Sequence, residues 1–122
     1  HTHTHPPLPA LPSAEVDREL AASQAAVAAH TGQPAGVFAY PYGAISAAAK
    51  AGARRLFRGA VGTDLGLVSA ASDRYALPRI DAYYLSPALV PHLHTPAFRR
   101  YLCLRQQLRT LRRRRQRDWE GF

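Results

Sequence analysis

The chain has one cysteine, Cys103, no methionine, and no lysine other than Lys50. A lone thiol excludes an internal disulfide and any cysteine-rich zinc site. Nothing around Cys103 suggests the electropositive pocket a catalytic thiol needs, so it reads as a packed thiol on a helix. No apolar run approaches the roughly 20 residues that span a bilayer. The start carries neither a basic n-region nor an apolar h-region, so no signal peptide is visible. A chain that begins at His1 is expected to be processed or truncated, and any targeting segment would have gone with the part removed. Its compartment stays open on these grounds, cytoplasm included.

At 122 residues the chain amounts to one domain at most, and although 47% of it is hydrophobic, alanine supplies much of that figure. The net charge of +8 is uneven. From Arg99 onward nine arginines face only Asp118 and Glu120, a local charge of +7, while residues 1–98 carry +1. The body is nearly neutral and the tail strongly basic. Arginine provides fifteen of the sixteen basic residues, which fits a GC-rich coding sequence as readily as a functional choice.

Residues 1–12 hold Pro6, Pro7, Pro9 and Pro12 and exclude regular helix. Ser13 is placed to cap a helix whose first turns carry Glu15, Asp17 and Glu19 near the positive end of its dipole. Val16, Leu20 and Val27 form its apolar stripe, and Gly32 followed by Pro34 ends it. Gly36 to Tyr40 predicts a buried strand running into a rigid Tyr40-Pro41-Tyr42-Gly43 turn. Ser46 to Ala53 predicts a short helix closing near Gly52, Leu56 to Val61 a strand, and Gly62 to Asp73 a polar loop. Tyr75 to Ile80 suggests a short strand that Pro78 confines to an edge or a strand end. This order predicts an α/β fold with largely parallel pairing. Phe98, Tyr101, Leu104, Leu108 and Leu111 recur at three- and four-residue steps, so residues 97–115 should form an amphipathic helix with arginine on its other face.

His1 and His5 can converge on one ion even in a loop, and neutral imidazoles bind zinc, nickel, cobalt or iron well. A catalytic zinc site usually holds three protein ligands and an open position, so two histidines call for a third ligand, a carboxylate by preference. An exposed His-rich terminus is an equally ordinary explanation. A free terminal amine with His3 could also capture copper or nickel by itself.

Three segments in order sharpen this reading: His1-Thr2-His3-Thr4-His5-Pro6, Phe38-Ala39-Tyr40-Pro41-Tyr42-Gly43 and Leu77-Pro78-Arg79-Ile80. They closely resemble the polysaccharide deacetylase family, the NodB-homology enzymes of carbohydrate esterase family 4, from His1 to about Tyr84. The resemblance implies a partial, irregular (β/α) barrel over residues 1–84, followed by a helical, Arg-rich extension over 85–122. It implies that His1 and His5 ligate a divalent metal, zinc first, with cobalt, nickel or iron possible. Thr2 would steady the loop by hydrogen bonding. Tyr42, beside the rigid Pro41, would offer its backbone N–H to the oxyanion. The expected reaction is hydrolysis of a carbon–nitrogen bond that is not a peptide, removing acetate from an N-acetylated sugar or polysaccharide. Cell-envelope or extracellular placement would follow from the same resemblance.

The chain departs from the family pattern at three points. The Asp-bearing first motif, which supplies the base and a carboxylate ligand, should precede His1, and Asp64, Asp73 and Asp81 do not match it. Ala39 stands where many members carry arginine, a role not transferred to Arg79. The late Leu-x-His motif has only Leu93-His94, with nearby His92, as candidates by residue type, and His30 reads as structural. The chain is therefore expected to be a fragment, needing the missing N-terminal part of its domain and showing little turnover alone. Two rivals stand beside this reading. One is a non-catalytic metal- or carbohydrate-binding remnant. The other is a basic protein that binds anions, an anionic lipid surface or nucleic acid, through residues 99–117, with nucleic acid the weaker choice; a helix that packs its leucine stripe on the barrel and leaves a solvated arginine face is the plain explanation of that segment.

Overall fold

A computed structural model describes residues 1–119, with side chains to Arg112. The chain forms helices α1 (Ser13–Thr31), α2 (Ala47–Leu56) and α3 (Pro96–Trp119) and strands β1 (Val37–Ala39), β2 (Gly59–Leu65) and β3 (Leu77–Arg79). The strands lie in the order β1-β2-β3, with β1 and β2 parallel in the register Val37 to Gly59, Phe38 to Ala60 and Ala39 to Val61. This is the expected α/β arrangement, an open sheet consistent with part of a barrel. Two compact units divide the chain: residues 1–63 with 69–78, and residues 64–68 with 79–122.

In the first unit, Leu8, Val16, Leu20, Phe38, Tyr40, Ala49, Ala53, Phe57 and Ala60 form the core. Phe38 and Tyr40 project from one face of the strand, as two-residue spacing requires, and their rings meet at 5.2 Å. Helices α1 and α2 pack closely at Gly52, where a Cβ would come within 2.5 Å of Leu20 Cδ1. Gly52 was expected to end α2; it sits mid-helix instead, because its missing side chain admits Leu20. The helix runs on to Leu56 after a Ser46 cap that accepts from Ala49 N–H at 3.1 Å. Gln24 of α1 then secures both flanks of the β1–α2 segment. Its amide nitrogen donates to Ala35 O at 3.0 Å and Leu56 O at 2.9 Å, and its oxygen accepts from Ala35 N–H at 2.7 Å.

Other boundaries also move. Pro12, not Ser13, precedes the first turn of α1, and the Ser13 side chain makes no capping bond. The buried stripe of α1 is Val16, Leu20 and Ser23, while Val27 is exposed. Leu56, Phe57 and Arg58 are not strand: they close α2 and lead into β2, which takes up the first part of the predicted polar loop. Pro78 does lie in a strand at the sheet's edge.

The second unit is built on Leu65, Tyr84, Phe98 and Leu102. The Gln106 side chain of α3 accepts from Leu65 N–H at 2.9 Å and donates to Asp64 Oδ1 at 2.8 Å. Arg105 lies over the Tyr84 ring and donates to its hydroxyl at 3.2 Å. The expected stripe of α3 splits: Phe98 is buried together with Leu102, whereas Tyr101, Leu104, Leu108 and Leu111 face solvent. The side chains of residues 113–117 and all of Phe122, counted in the basic tail, lie outside the described residues.

Candidate active site

Two irregular segments meet at the end of β1, where proline fixes the chain and releases it from the sheet. One is His1–His5, held against α1: Thr4 N–H and Oγ1 both donate to the Glu19 carboxylate, at 2.9 and 2.7 Å. Those two bonds, the backbone one first, hold the Glu19 carboxyl below its usual range. The other segment is the Tyr40–Gly43 turn. Tyr40 is buried and its hydroxyl donates to Tyr75 O at 2.8 Å. Pro41 is buried too, while Tyr42 is 66% exposed.

The turn closes through Gly43 N–H to Tyr40 O at 2.9 Å and Ala44 N–H to Pro41 O at 3.0 Å. Neither bond uses the Tyr42 N–H. Tyr42 sits at φ 57° and Gly43 at φ 69°. At Gly43 a side chain is excluded twice, because a Cβ would also come within 2.0 Å of Thr63 Oγ1 on β2.

His1, His5 and Tyr42 form a continuous row. The His1 and His5 ring centroids are 4.9 Å apart, and those of His5 and Tyr42 are again 4.9 Å apart. His1 Nδ1 lies 2.7 Å from Ala39 O. A carbonyl can only accept, so Nδ1 carries the proton and the Nε2 lone pair of the neutral ring is left available. This is the partner arrangement that metal-ligating histidines use to fix their tautomer. Two imidazoles on one tetrahedral zinc, with Zn–N bonds of about 2.0–2.1 Å, have centroids about 5 Å apart, a spacing that the His1–His5 pair matches. Among the described residues no group of three potential ligands exists, so the third corner has no candidate there.

The other acids are engaged. Asp73 pairs with Lys50, whose ammonium holds its carboxyl below the usual range with help from Tyr75 N–H. Asp81 accepts from Tyr83 N–H at 3.0 Å, and Asp64 takes the Gln106 bond. Thr2 is buried, and its Oγ1 has no hydrogen-bond partner. Arg79 and His94 are exposed and belong to the second unit. Sequence reasoning missed three supports of the site. Ala39 acts through a backbone carbonyl that its residue type does not signal. Glu19 was read only as a helix-dipole partner. Thr63 matters for its position behind Gly43.

Residues 1–58 match the polysaccharide deacetylase family model. Among solved structures, a deacetylase of Streptococcus pyogenes, PplD, in complex with acetate, aligns at 28% identity and a TM-score of 0.71 over 79% of this chain and 43% of that one. A Bacillus anthracis protein described as a polysaccharide deacetylase aligns at 24% identity, and a polysaccharide deacetylase from Bacillus cereus at 23%, each with a TM-score of 0.59 over 66% of this chain and 26% of theirs. The two Bacillus structures speak to the fold alone. This chain spans less than half the length of the streptococcal relative. No curated protein matches it. The chain is thus similar to polysaccharide deacetylases, in sequence over residues 1–58 and in its α/β fold.

Proposed function

We propose that this domain is a metal-dependent deacetylase that removes acetyl groups from N-acetylated sugars or polysaccharide. The observation that carries the proposal is the row His1–His5–Tyr42, in which two imidazoles stand next to the turn that frees a backbone N–H. A bound divalent ion, zinc by preference, would polarise the acetamide carbonyl and acidify a water. His1, held by Ala39 O, and His5 would bind that ion. The Tyr42 N–H would donate to the carbonyl oxygen as the carbon becomes tetrahedral, its direction kept by Pro41 and by Gly43 packed on Thr63. Water oxygen adds to the acetyl carbon, the carbon–nitrogen bond breaks, both water protons pass to the departing nitrogen, which leaves as an ammonium, and acetate departs. Acetate is the molecule held by the streptococcal relative.

No described residue stands beside the histidine pair as a carboxylate ligand or base, and the general acid has only His94 as a candidate, so the 122-residue chain by itself should turn over little substrate. The test is acetate release from N-acetylglucosamine oligomers. It compares this chain with the same chain extended by whatever reading frame precedes it, each with and without a chelator. Chelator-sensitive release that requires the extension and is lost in His5→Ala supports the reading. Release by the short chain that ignores both chelator and His5→Ala sinks it.

One observation favours a second reading. With no third ligand among the described residues, the same row would suit a non-catalytic module that holds a metal or a glycan without hydrolysing it. An extended chain that binds zinc but never releases acetate would select that alternative.

A further inference from the structure

Helix α3 has two apolar faces, and the second unit's core uses only one. Phe98 and Leu102 are buried there. Tyr101, Leu104, Leu108 and Leu111 are 38%, 55%, 42% and 57% exposed. With 3.6 residues per turn, these four fall within an arc of about 80°, centred about 120° round the helix from the buried pair. Arg100 and Arg112, both exposed, border that arc on either side.

Charge selects the occupant of this stripe. The chain from Arg99 onward carries +7. A second copy would bring the same charge, so pairing through this face opposes itself. A nucleic acid would engage the arginines but leave three leucines in water. An anionic lipid surface meets both requirements: guanidinium groups reach the headgroup phosphates while leucine side chains enter the acyl boundary. Arginine stems can lie along the apolar edge with their charged ends in the polar layer. No helix among the described residues is long and apolar enough to cross a membrane, so α3 would lie on the surface and not span it.

We propose that α3 is an interfacial helix that seats its Tyr101–Leu111 stripe on an anionic lipid surface. This proposal does not use the histidine row, and it requires the stripe to stay uncovered in the longer domain that the deacetylase reading implies.

The test uses the full chain and sucrose-loaded vesicles of phosphatidylcholine, alone or with about one third phosphatidylglycerol. Co-sedimentation should be at least about tenfold stronger with the anionic vesicles and should weaken as salt shortens the screening length. Emission from the single tryptophan, Trp119, should shift to the blue when the anionic vesicles are added. The variant Leu104→Ser/Leu108→Ser should lose about a hundredfold in partitioning, about tenfold for each leucine withdrawn. Because both leucines are exposed, its circular dichroism and melting temperature should match those of the native chain. Absence of sedimentation with anionic vesicles overturns the proposal, as does a double-serine variant that binds them as well as the native chain. A DNA duplex that binds both forms equally and displaces the vesicles would show a general polyanion site instead. Lipid-free dimerisation abolished by the serine pair would assign the stripe to a second copy and overturn it too.

Discussion

His5 and Tyr42 meet nearly edge to face, at a centroid separation of 4.9 Å and an interplanar angle of 76°, and both hold left-handed backbone, at φ 63° and 57°. Left-handed conformation costs a side-chain-bearing residue on the order of 1–2 kcal/mol. Two such residues in contact mark a place where the surrounding packing imposes a geometry that local preference would refuse. Here that packing is visible: Glu19 holds Thr4 on one side and Thr63 fills the space behind Gly43 on the other.

Gly43 tests that statement from the turn side. Gly43→Ala adds a methyl group to a residue at φ 69° and directs it into Thr63. Left-handed strain and overpacking together should cost about 2–4 kcal/mol of stability. Urea unfolding monitored by circular dichroism gives the value. Gly43→Ala combined with Thr63→Ser should recover less than half, because serine keeps the hydroxyl oxygen nearest the added methyl and the backbone strain is unchanged. A Gly43→Ala variant as stable as the parent would mean the turn is not held as described.

Glu19 tests the same contact from the helix side. Its carboxyl is held low by the Thr4 bonds, so its contribution is present above the ordinary carboxylate pKa and is lost as pH falls through the depressed folded value. The Thr4 amide should therefore exchange faster with solvent as pH falls through the acid range, after correction for intrinsic exchange. Glu19→Gln, which keeps one acceptor and loses the charge, should show the faster exchange already at neutral pH. Amide exchange by NMR that is the same in both proteins at pH 7 would remove Glu19 as the anchor of the histidine segment.

Sequence patterns revealed the helices and the first strand, because these depend on residue type and period. Val16 and Leu20 mark a buried helix face, and Phe38 with Tyr40 a strand face. Where the reading failed, tertiary contact overrode local preference. The strand expected over 56–61 agrees at Gly59–Val61, which pair with β1, but β2 runs on through Gly62–Leu65, a stretch of poor strand propensity. Gly59 is used there because Arg74 O comes within 3.2 Å of where a Cβ would stand. Gly52 looked like a helix end for the same reason that it suits a helix crossing. The Ala39 carbonyl on His1 was beyond reach of any pattern, since every residue has one. The α3 stripe was legible as an apolar period, but a period does not say which leucines find a core.

Tyr40 gives an alkaline signature. Burial pushes its phenol up to about 12, with the Asp73 charge adding to the shift and Arg54 opposing it. An unfolded tyrosine titrates near 10. With the folded value the higher one, the contribution to stability is full below about pH 10 and is lost as pH rises through about 12. In a 295 nm absorbance titration, one of the six tyrosines should ionise late and together with loss of the circular dichroism signal. Six phenols ionising near pH 10 with the fold intact would contradict a buried, hydrogen-bonded Tyr40.

The histidine row makes the most direct prediction, because His3 lies between His1 and His5 in sequence and is an internal control. With the N-terminus extended by a neutral residue, which removes chelation by a terminal amine, His5→Ala should weaken zinc binding by about tenfold or more in titration calorimetry. His3→Ala should change it by less than about twofold. His1→Gln removes the ring that Ala39 O orients, so it should weaken binding about as much as His5→Ala does. Binding should also weaken as pH falls, because protons compete for the ligating nitrogens. Equal losses in the His3 and His5 variants would sink the pairing of His1 with His5. If loss were confined to the His3 variant, the zinc would sit outside the row that faces Tyr42.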